Sequence, residues 1–347
     1  MDSLVSSKEK LSDFQLVDRG PSELDFSKGI SNLSDREAMG FPDHYVKSSL
    51  EQSDRLFVEL THLNKSQLVE ILENEQIEFS RRFSVGQLLA LLGDPRITTE
   101  SPDMITIPSW SGFLGLNIED LDRVTAEFSA YGIQREWIEK ETPAYKAEIA
   151  RFKIGKYPVT NSEYLQFLNE TKHTEIPTSW IFRNFPLHAA NHPVYSLSAD
   201  SCITYTEWLS HKTGRKFRLP TEKEWEFAAG GTEQLEYPWG NTFMKDHSNT
   251  IESGILQTTA IGIFPKGKSP FGCLDMAGNV EEYVSDFYAR YPGGITVNDD
   301  LITVNGDYRV ARGGSFIRFR DLARCKRRHG PNPKIIYAMG FRIAEDF

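Results

Sequence analysis

The spacing of apolar and polar positions divides the chain into three stretches. The first forty or so residues are polar, with Gly, Pro, Ser and Asp scattered through them, and without a sustained period they are expected to wrap or fray. From Leu56 the apolar positions step by three and four, through Leu56, Leu60 and Leu63 and then Leu68, Ile71 and Leu72, which predicts a small helical unit over residues 50–92. Asn64 with Gln67 and Ser84 with Gln87 both have the spacing of a capping box, and Gly93 follows the leucines at 88, 89, 91 and 92 where a helix stop belongs. Beyond Gly93 short segments punctuated by Gly, Pro, Trp and Tyr predict a loop-rich domain with a few helices and small antiparallel sheets. Thr160 with Glu163 caps a helix whose apolar face is Tyr164, Phe167 and Leu168. A second helix runs over 204–213 and closes on Gly214. A third opens at Thr221 and Glu224, turns Trp225 and residues 227–229 inward, and ends at Gly230-Gly231. Helices this short are marginal alone, so their aromatic residues are expected to anchor a shared core.

Charge and cysteine content narrow the function classes. Among 347 residues, 39 Lys+Arg stand against 49 Asp+Glu, a net charge of −10 that disfavours general binding to a phosphate backbone. No apolar run approaches the length of a membrane helix, and Met1-Asp2-Ser3-Leu4-Val5 lacks the basic and apolar regions of a signal peptide, so a cytoplasmic address is the expectation. Cys202, Cys273 and Cys325 are odd in number, far apart and without a CxxC pair, which argues against a disulfide framework or a thiolate zinc site and for small buried side chains.

Common catalytic motifs are absent: there is no GxGxxG after a strand, no GxxxxGK[ST], no HExxH and no GxSxG. Gly313-Gly314-Ser315 lacks the lysine of a phosphate loop, and its flanks Arg312 and Phe316 fit a strand entering a core. His188 and His192 have the spacing of a helical metal pair, but Pro186 and Pro193 bracket them and make a regular helix improbable.

The order of several segments carries more information. "FKIGKYPVTNSEYLQFL", "HPVYSLSADSCITYTEWLSHKTGRKFRLPTEKEWEFAAGG", "YPWGN", "FGCLDMAGNVEEYVSDFY" and "RVARGGSFIRFRDLARCKRRHG…MGFRIAEDF" together resemble the formylglycine-generating enzyme (sulfatase-modifying factor) family over roughly residues 95–347. The resemblance implies an α+β fold, a C-type-lectin-like variant with low regular secondary structure, preceded here by the N-terminal helical unit. It divides the chain into an extension and helical unit over 1–92 and a family-like domain over 93–347. Relatives include copper-dependent enzymes that oxidise a peptide cysteine to formylglycine, a pyoverdine-maturing oxidase, sulfoxide synthases, and ligand-binding proteins without known catalysis.

The resemblance also assigns roles to particular positions. A tight Gly-containing turn between two carboxylates can aim carbonyls at a hard cation. By similarity to the family's calcium loop, the Asp275 and Glu282 side chains and the Gly278 and Val280 carbonyls are the expected ligands of a structural Ca²⁺. The alternative is a capped turn with Glu282 paired to an arginine. Asn249 matches the start of a second calcium site whose acidic half is missing. The two cysteines that bind Cu(I) in the cysteine-oxidising relatives fall on Arg318 and Ala323, which cannot serve as thiolates, and Cys325 is out of step. The HxxxHxE iron motif of the sulfoxide synthases is absent from residues 1–92, where the histidines are His44 and His62. The identity of any redox metal is therefore left unknown.

Glu281 replaces the tryptophan of the family's "NVWEW" and becomes a candidate general acid or base if desolvated, or a solvated side chain if the loop has rotated. Ser315 matches a pocket-lining serine, with a strand hydroxyl bonded to backbone as the alternative. Arg324 and Arg328 look like structural arginines that pair with core carboxylates. Arg318 and Arg320 lie at the expected pocket edge and would fork onto a carboxylate or phosphate, unless the whole run from Arg318 to Lys334 is a solvated charged face. Two functions follow: an oxidoreductase-like enzyme acting on a peptide or small anionic metabolite without the copper mechanism, with Glu281 and Ser315 near the reacting centre; or a non-catalytic binding module that meets a protein partner through the helical unit.

Overall fold

The computed structural model describes residues 33–40, 54–334 and 337–347; the polar first thirty-two residues and His44 lie outside them. A single turn, α1 (Asp35–Ala38), is closed by reciprocal bonds between Ser34 and Glu37. The helical unit proper is α2 (Asp54–Leu60), α3 (Lys65–Glu73) and α4 (Phe79–Leu92). Asn64 and Gln67 cap α3 as their spacing predicts. The cap expected at Ser84 is not formed. Ser84 lies inside α4 and donates back to the Ser80 carbonyl at 3.0 Å, while the helix begins at Phe79. Tertiary burial extends it: Phe79 and Phe83 pack on Ile255, Ile263 and Phe264, and that apolar contact outweighs the local stop and start signals.

The unit is fixed to the rest of the chain by its own hydrophobic stripe. Leu60, Leu68, Leu72, Val85 and Leu89 are sealed together with Ala260. Gly86 permits the approach, since a Cβ there would stand 2.8 Å from the Ala260 Cβ. Asn191 donates to the Gly86 carbonyl at 3.1 Å, and Arg82 donates to the carbonyl of Ile263.

The remaining elements are β1 (Met104–Ile107), β2 (Trp110–Leu114), α5 (Leu121–Phe128), α6 (Arg135–Glu139), β3 (Tyr145–Ile149), β4 (Phe152–Gly155), α7 (Asn161–Glu170), α8 (Ala199–Thr213), β5 (Phe217–Arg218), α9 (Glu222–Gly230), β6 (Glu281–Phe287), α10 (Asp300–Asn305), β7 (Arg309–Arg312), β8 (Met339–Phe341) and β9 (Ala344–Glu345). They form three small sheets in the orders β1-β4-β9-β5, β2-β3 and β7-β6-β8. The first two are antiparallel, but β8 runs parallel to β6, with Glu281 beside Met339 and Glu282 beside Gly340. The expectation of antiparallel sheets alone is corrected there, because the C-terminal segment returns through the core rather than by a hairpin.

Capping boxes open α7 at Thr160 and α9 at Thr221 where the sequence places them. Helix α8 starts at Ala199, capped by Ser198, and so exceeds the predicted 204–213 at its N-terminal end; its first turns bury Cys202 and Tyr205 against Phe341 and Tyr164. Trp225, Phe227, Ala228 and Ala229 of α9 fill the main core with Ile107, Phe152, Ile154, Val284 and Val310. Among the described residues no helix is long and apolar enough to cross a membrane.

Docking of the helical unit is tested at Gly86. Gly86→Leu cannot fit beside Ala260 and is expected to lower the unfolding free energy by about 1–3 kcal/mol, read from the denaturant midpoint; an unchanged midpoint would show that the contact does not hold the unit in place.

Candidate functional site

The Asp275–Glu282 turn precedes β6 and places its two carboxylates on different duties. Glu282 accepts from Arg342 Nε and Nη2 at 2.5 and 2.7 Å and from Trp225 Nε1 at 2.6 Å, all without solvent contact. Asp275 accepts the Gly262 N–H at 2.6 Å, and burial pushes its carboxyl up to about 6. Gly278 is at φ 81 and lies against the Asn249 carbonyl, only 2.4 Å from where a Cβ would stand, so only glycine fits. The Asn249 side chain donates to the Gln257 carbonyl at 2.9 Å and accepts from Ser253 Oγ at 3.1 Å. This donor set does not fit Ca²⁺. The Glu282 oxygens hold a guanidinium and an indole N–H, leaving Asp275 and the Gly278 and Val280 carbonyls without a second carboxylate. Glu282 pairs with Arg342, the arginine pairing that the alternative reading of the turn describes.

Strand β7 ends at Arg312, and the chain does not continue extended through Phe316. Gly313 and Gly314 have φ of 93 and 66, and a Cβ on either would meet backbone, the Met276 oxygen at 2.9 Å or the Leu322 carbon at 2.8 Å. The turn sends the chain back so that His329 pairs with Ala311 of β7. A cleft enclosing about 640 Å³, its mouth included, opens there; Asp299, Asp300, Arg318, Asp321, Arg327, His329 and Tyr337 supply its polar wall and Ala38 and Met39 of the N-terminal segment part of its apolar one.

Glu281 stands behind this wall. It is fully buried at the first position of β6 and receives the His329 Nδ1–H at 2.5 Å on one oxygen and Arg318 Nε at a long 3.4 Å on the other. Burial pushes its carboxyl up, but His329 and Arg318 outweigh burial and hold it below the ordinary range. Arg318 lies 4.1 Å over the Tyr337 ring, which also stacks on His329 at 5.2 Å. Its Nη2 and the Asp321 Oδ2 are buried without a hydrogen-bond partner. Asp321 is pushed by burial up to about 6.

The other sequence candidates are placed elsewhere. Arg320 donates to Glu252 at 2.9 Å and packs over Phe243 at 4.4 Å, so it is tied away from Arg318. Ser315 is fully buried and its hydroxyl has no partner, neither the backbone bond of the alternative reading nor a place on the cleft wall. Ala323, at the second expected thiolate position, is sealed with Tyr237 and Ala277. Cys325 belongs to the main core, where burial pushes its thiol far up. Two thiolates for Cu(I) cannot be assembled from these positions. His188 lies in a short 3₁₀ turn while His192 is buried, bonded to Thr258, and pushed by burial and by His188 down to about 3. Among the described residues no group of three or more His, Cys, Asp or Glu is placed to hold a metal.

The basic run proves to be neither a solvated face nor an anion-binding surface along its length. Arg324 forks onto Glu141 at 3.1 and 2.8 Å, and Arg328 onto Glu222 at 2.8 Å on both nitrogens. The residues that sequence reasoning missed are His329, Asp321 and Tyr337. His329 was visible only as one member of that run, because its partner lies 48 positions earlier.

Two measurements follow from these contacts. Neither excess calcium nor a chelator is expected to move the melting temperature; a fall on chelation would restore the metal. Arg342→Met leaves Glu282 buried without its cation and is expected to cost about 3–5 kcal/mol of stability, measured by denaturant unfolding.

Comparison with known proteins agrees with this architecture. The profile of the Sulfatase-modifying factor enzyme 1-like domain matches residues 94–347. Formylglycine-generating enzyme of Mus musculus is 31% identical over 269 residues, covering 59% of this chain and 69% of the relative. Serine/threonine-protein kinase pkn1 of Chlamydia pneumoniae is 32% identical over 225 residues, and hercynine oxygenase of Mycobacterium tuberculosis 28% over 245. These two matches cover 59% and 60% of this chain, and the chain spans only 35% and 56% of those two proteins. Among solved structures, PvdO from Pseudomonas aeruginosa shares the fold with a TM-score of 0.54 at 23% identity, over 72% of this chain and 96% of that one. Treponema denticola variable protein 1 does so at 0.50 and 19%, over 70% and 94%. A chain with these ordered motifs, this loop-rich α+β architecture and a family match over most of its length belongs to the formylglycine-generating enzyme (sulfatase-modifying factor) family.

Proposed function

We propose that this chain is a divergent member of its family that binds a peptide or small anionic metabolite in the Arg318 cleft and is not a copper-dependent formylglycine generator. The observation that carries the reading is Arg318 itself. It occupies the place expected of a copper thiolate, is 8% exposed, lines the cleft, and keeps Nη2 without a partner. A buried guanidinium N–H without an acceptor costs about 1–3 kcal/mol, which a carboxylate or phosphate oxygen would offset.

The name of the mycobacterial relative, hercynine oxygenase, favours an oxidative enzyme, while the charged and aromatic lining of the cleft is equally suited to ligand binding without redox chemistry. The two separate on metal content and oxygen uptake: stoichiometric redox metal with oxygen consumption supports the first, and ligand binding without either supports the second.

The ligand reading is tested by titrating the full chain with inorganic phosphate, acetate and a short acidic peptide. Arg318→Ala is expected to weaken binding at least tenfold, about 1.4 kcal/mol, while Arg320→Ala, whose guanidinium is spent on Glu252, leaves it unchanged. Equal affinity in wild type and Arg318→Ala would remove Arg318 from the site. Added copper is expected to leave oxygen uptake at the buffer rate.

A further inference from the structure

We propose that His329 is a general base of the cleft, oriented by Glu281, and that the anionic ligand held by Arg318 presents it with a hydroxyl, thiol or water proton. This rests on the ligand reading above for its substrate, but the base itself stands on separate geometry.

The imidazole is fixed on three sides. Its backbone exchanges both bridge bonds with Ala311, at 2.8 and 3.1 Å. Its ring stacks on Tyr337 with an interplanar angle of 14°. Its Nδ1 lies 2.5 Å from Glu281 Oε2. An ionised carboxylate only accepts, so Nδ1 carries the proton and Nε2 is left with its lone pair. Nε2 bonds to none of the described residues, and His329 lines the cleft. This is the relation of base and orienting acid used in acyl and group transfer, here with the base at the cleft and the carboxylate fully buried behind it.

The charged and titratable neighbours act in both directions. Burial pushes the imidazole down, Glu281 pulls it up, and Arg318 and Arg327 push it down again, so it rests below the ordinary histidine value. Asp299 and Asp321 face the same cleft, as does Tyr337. A neutral imidazole beside a guanidinium can take a proton while its anionic ligand stays bound.

The chemistry balances without an oxidant. The ligand's O–H or S–H bond breaks, its electron pair stays on the oxygen or sulfur, and a new N–H bond forms at Nε2. Glu281 offsets the imidazolium charge through the retained Nδ1–H bond. The proton then returns from Nε2 to the ligand's oxygen or sulfur, or passes to water. Glu281 is a positioning residue in this scheme, and no electron changes hands.

The test uses the full chain with ¹⁵N-labelled histidine, the His329 signals being assigned with His329→Asn. Wild type is expected to show His329 as the Nδ1–H tautomer at neutral pH, and Glu281→Gln to move it toward Nε2–H. Diethyl pyrocarbonate, followed by peptide mass mapping, is expected to acylate His329 and to do so about tenfold more slowly in Glu281→Gln, the loss of about one unit of basicity. A wild-type Nε2–H tautomer, or a His329 that resists the reagent while exposed His62 and His211 react, overturns the proposal. Those two wild-type measurements decide it even if Glu281→Gln fails to fold. Inorganic phosphate is expected to shift the His329 signals in wild type but not in Arg318→Ala; no shift with the Nδ1–H tautomer intact would discard the ligand reading and leave the base.

Discussion

A guanidinium taken out of water has to be met by a carboxylate, and this requirement organises the molecule. Arg312 reaches Glu222 and Glu226 at 2.7 and 2.6 Å, Arg328 shares Glu222, Arg324 takes Glu141, and Arg342 takes Glu282. These bonds tie α9, the segment after α6 and the segment after β7 to the sheet of β7, β6 and β8. Such pairs contribute little net stability against an apolar replacement, but losing one partner is costly. They therefore act mainly by excluding other arrangements of a chain rich in loops.

The same constraint decides where the site lies. Residues 313–329 supply both kinds of group: Arg324 and Arg328 turn inward to carboxylates, while Arg318 and His329 turn toward the cleft and meet there through Glu281. With Arg318 and Ala323 where thiolates are expected, the cleft offers charge and proton-transfer groups in place of soft ligands. Behind its wall Arg318 Nη2 is buried without an acceptor, and Asp321 Oδ2 lies without a hydrogen-bond donor, 3.8 Å from Arg327 Nε.

Much of the local structure was legible. Three capping boxes, at Asn64, Thr160 and Thr221, form where polar spacing places them, because both partners lie within one turn. Ser84 has the same spacing and fails, since the burial of Phe79 and Phe83 carries the helix past it. The Asp275–Glu282 turn shows the same limit. Its residues have the expected order, but Glu282 is reached by Arg342 from 60 positions away.

By itself, the sequence determined the family architecture, the starts of the helices capped at Asn64, Thr160 and Thr221, and the absence of paired thiolates at 318 and 323, because each is a matter of residue type at short or fixed spacing. Only the tertiary structure decided which carboxylate each arginine meets, that Arg320 leaves the site, and that Glu281 orients His329. A long-range pair leaves no local pattern: its two halves are ordinary polar residues until the turn at Gly313-Gly314 brings the segment after β7 back beside that strand and removes the water between His329 and Glu281.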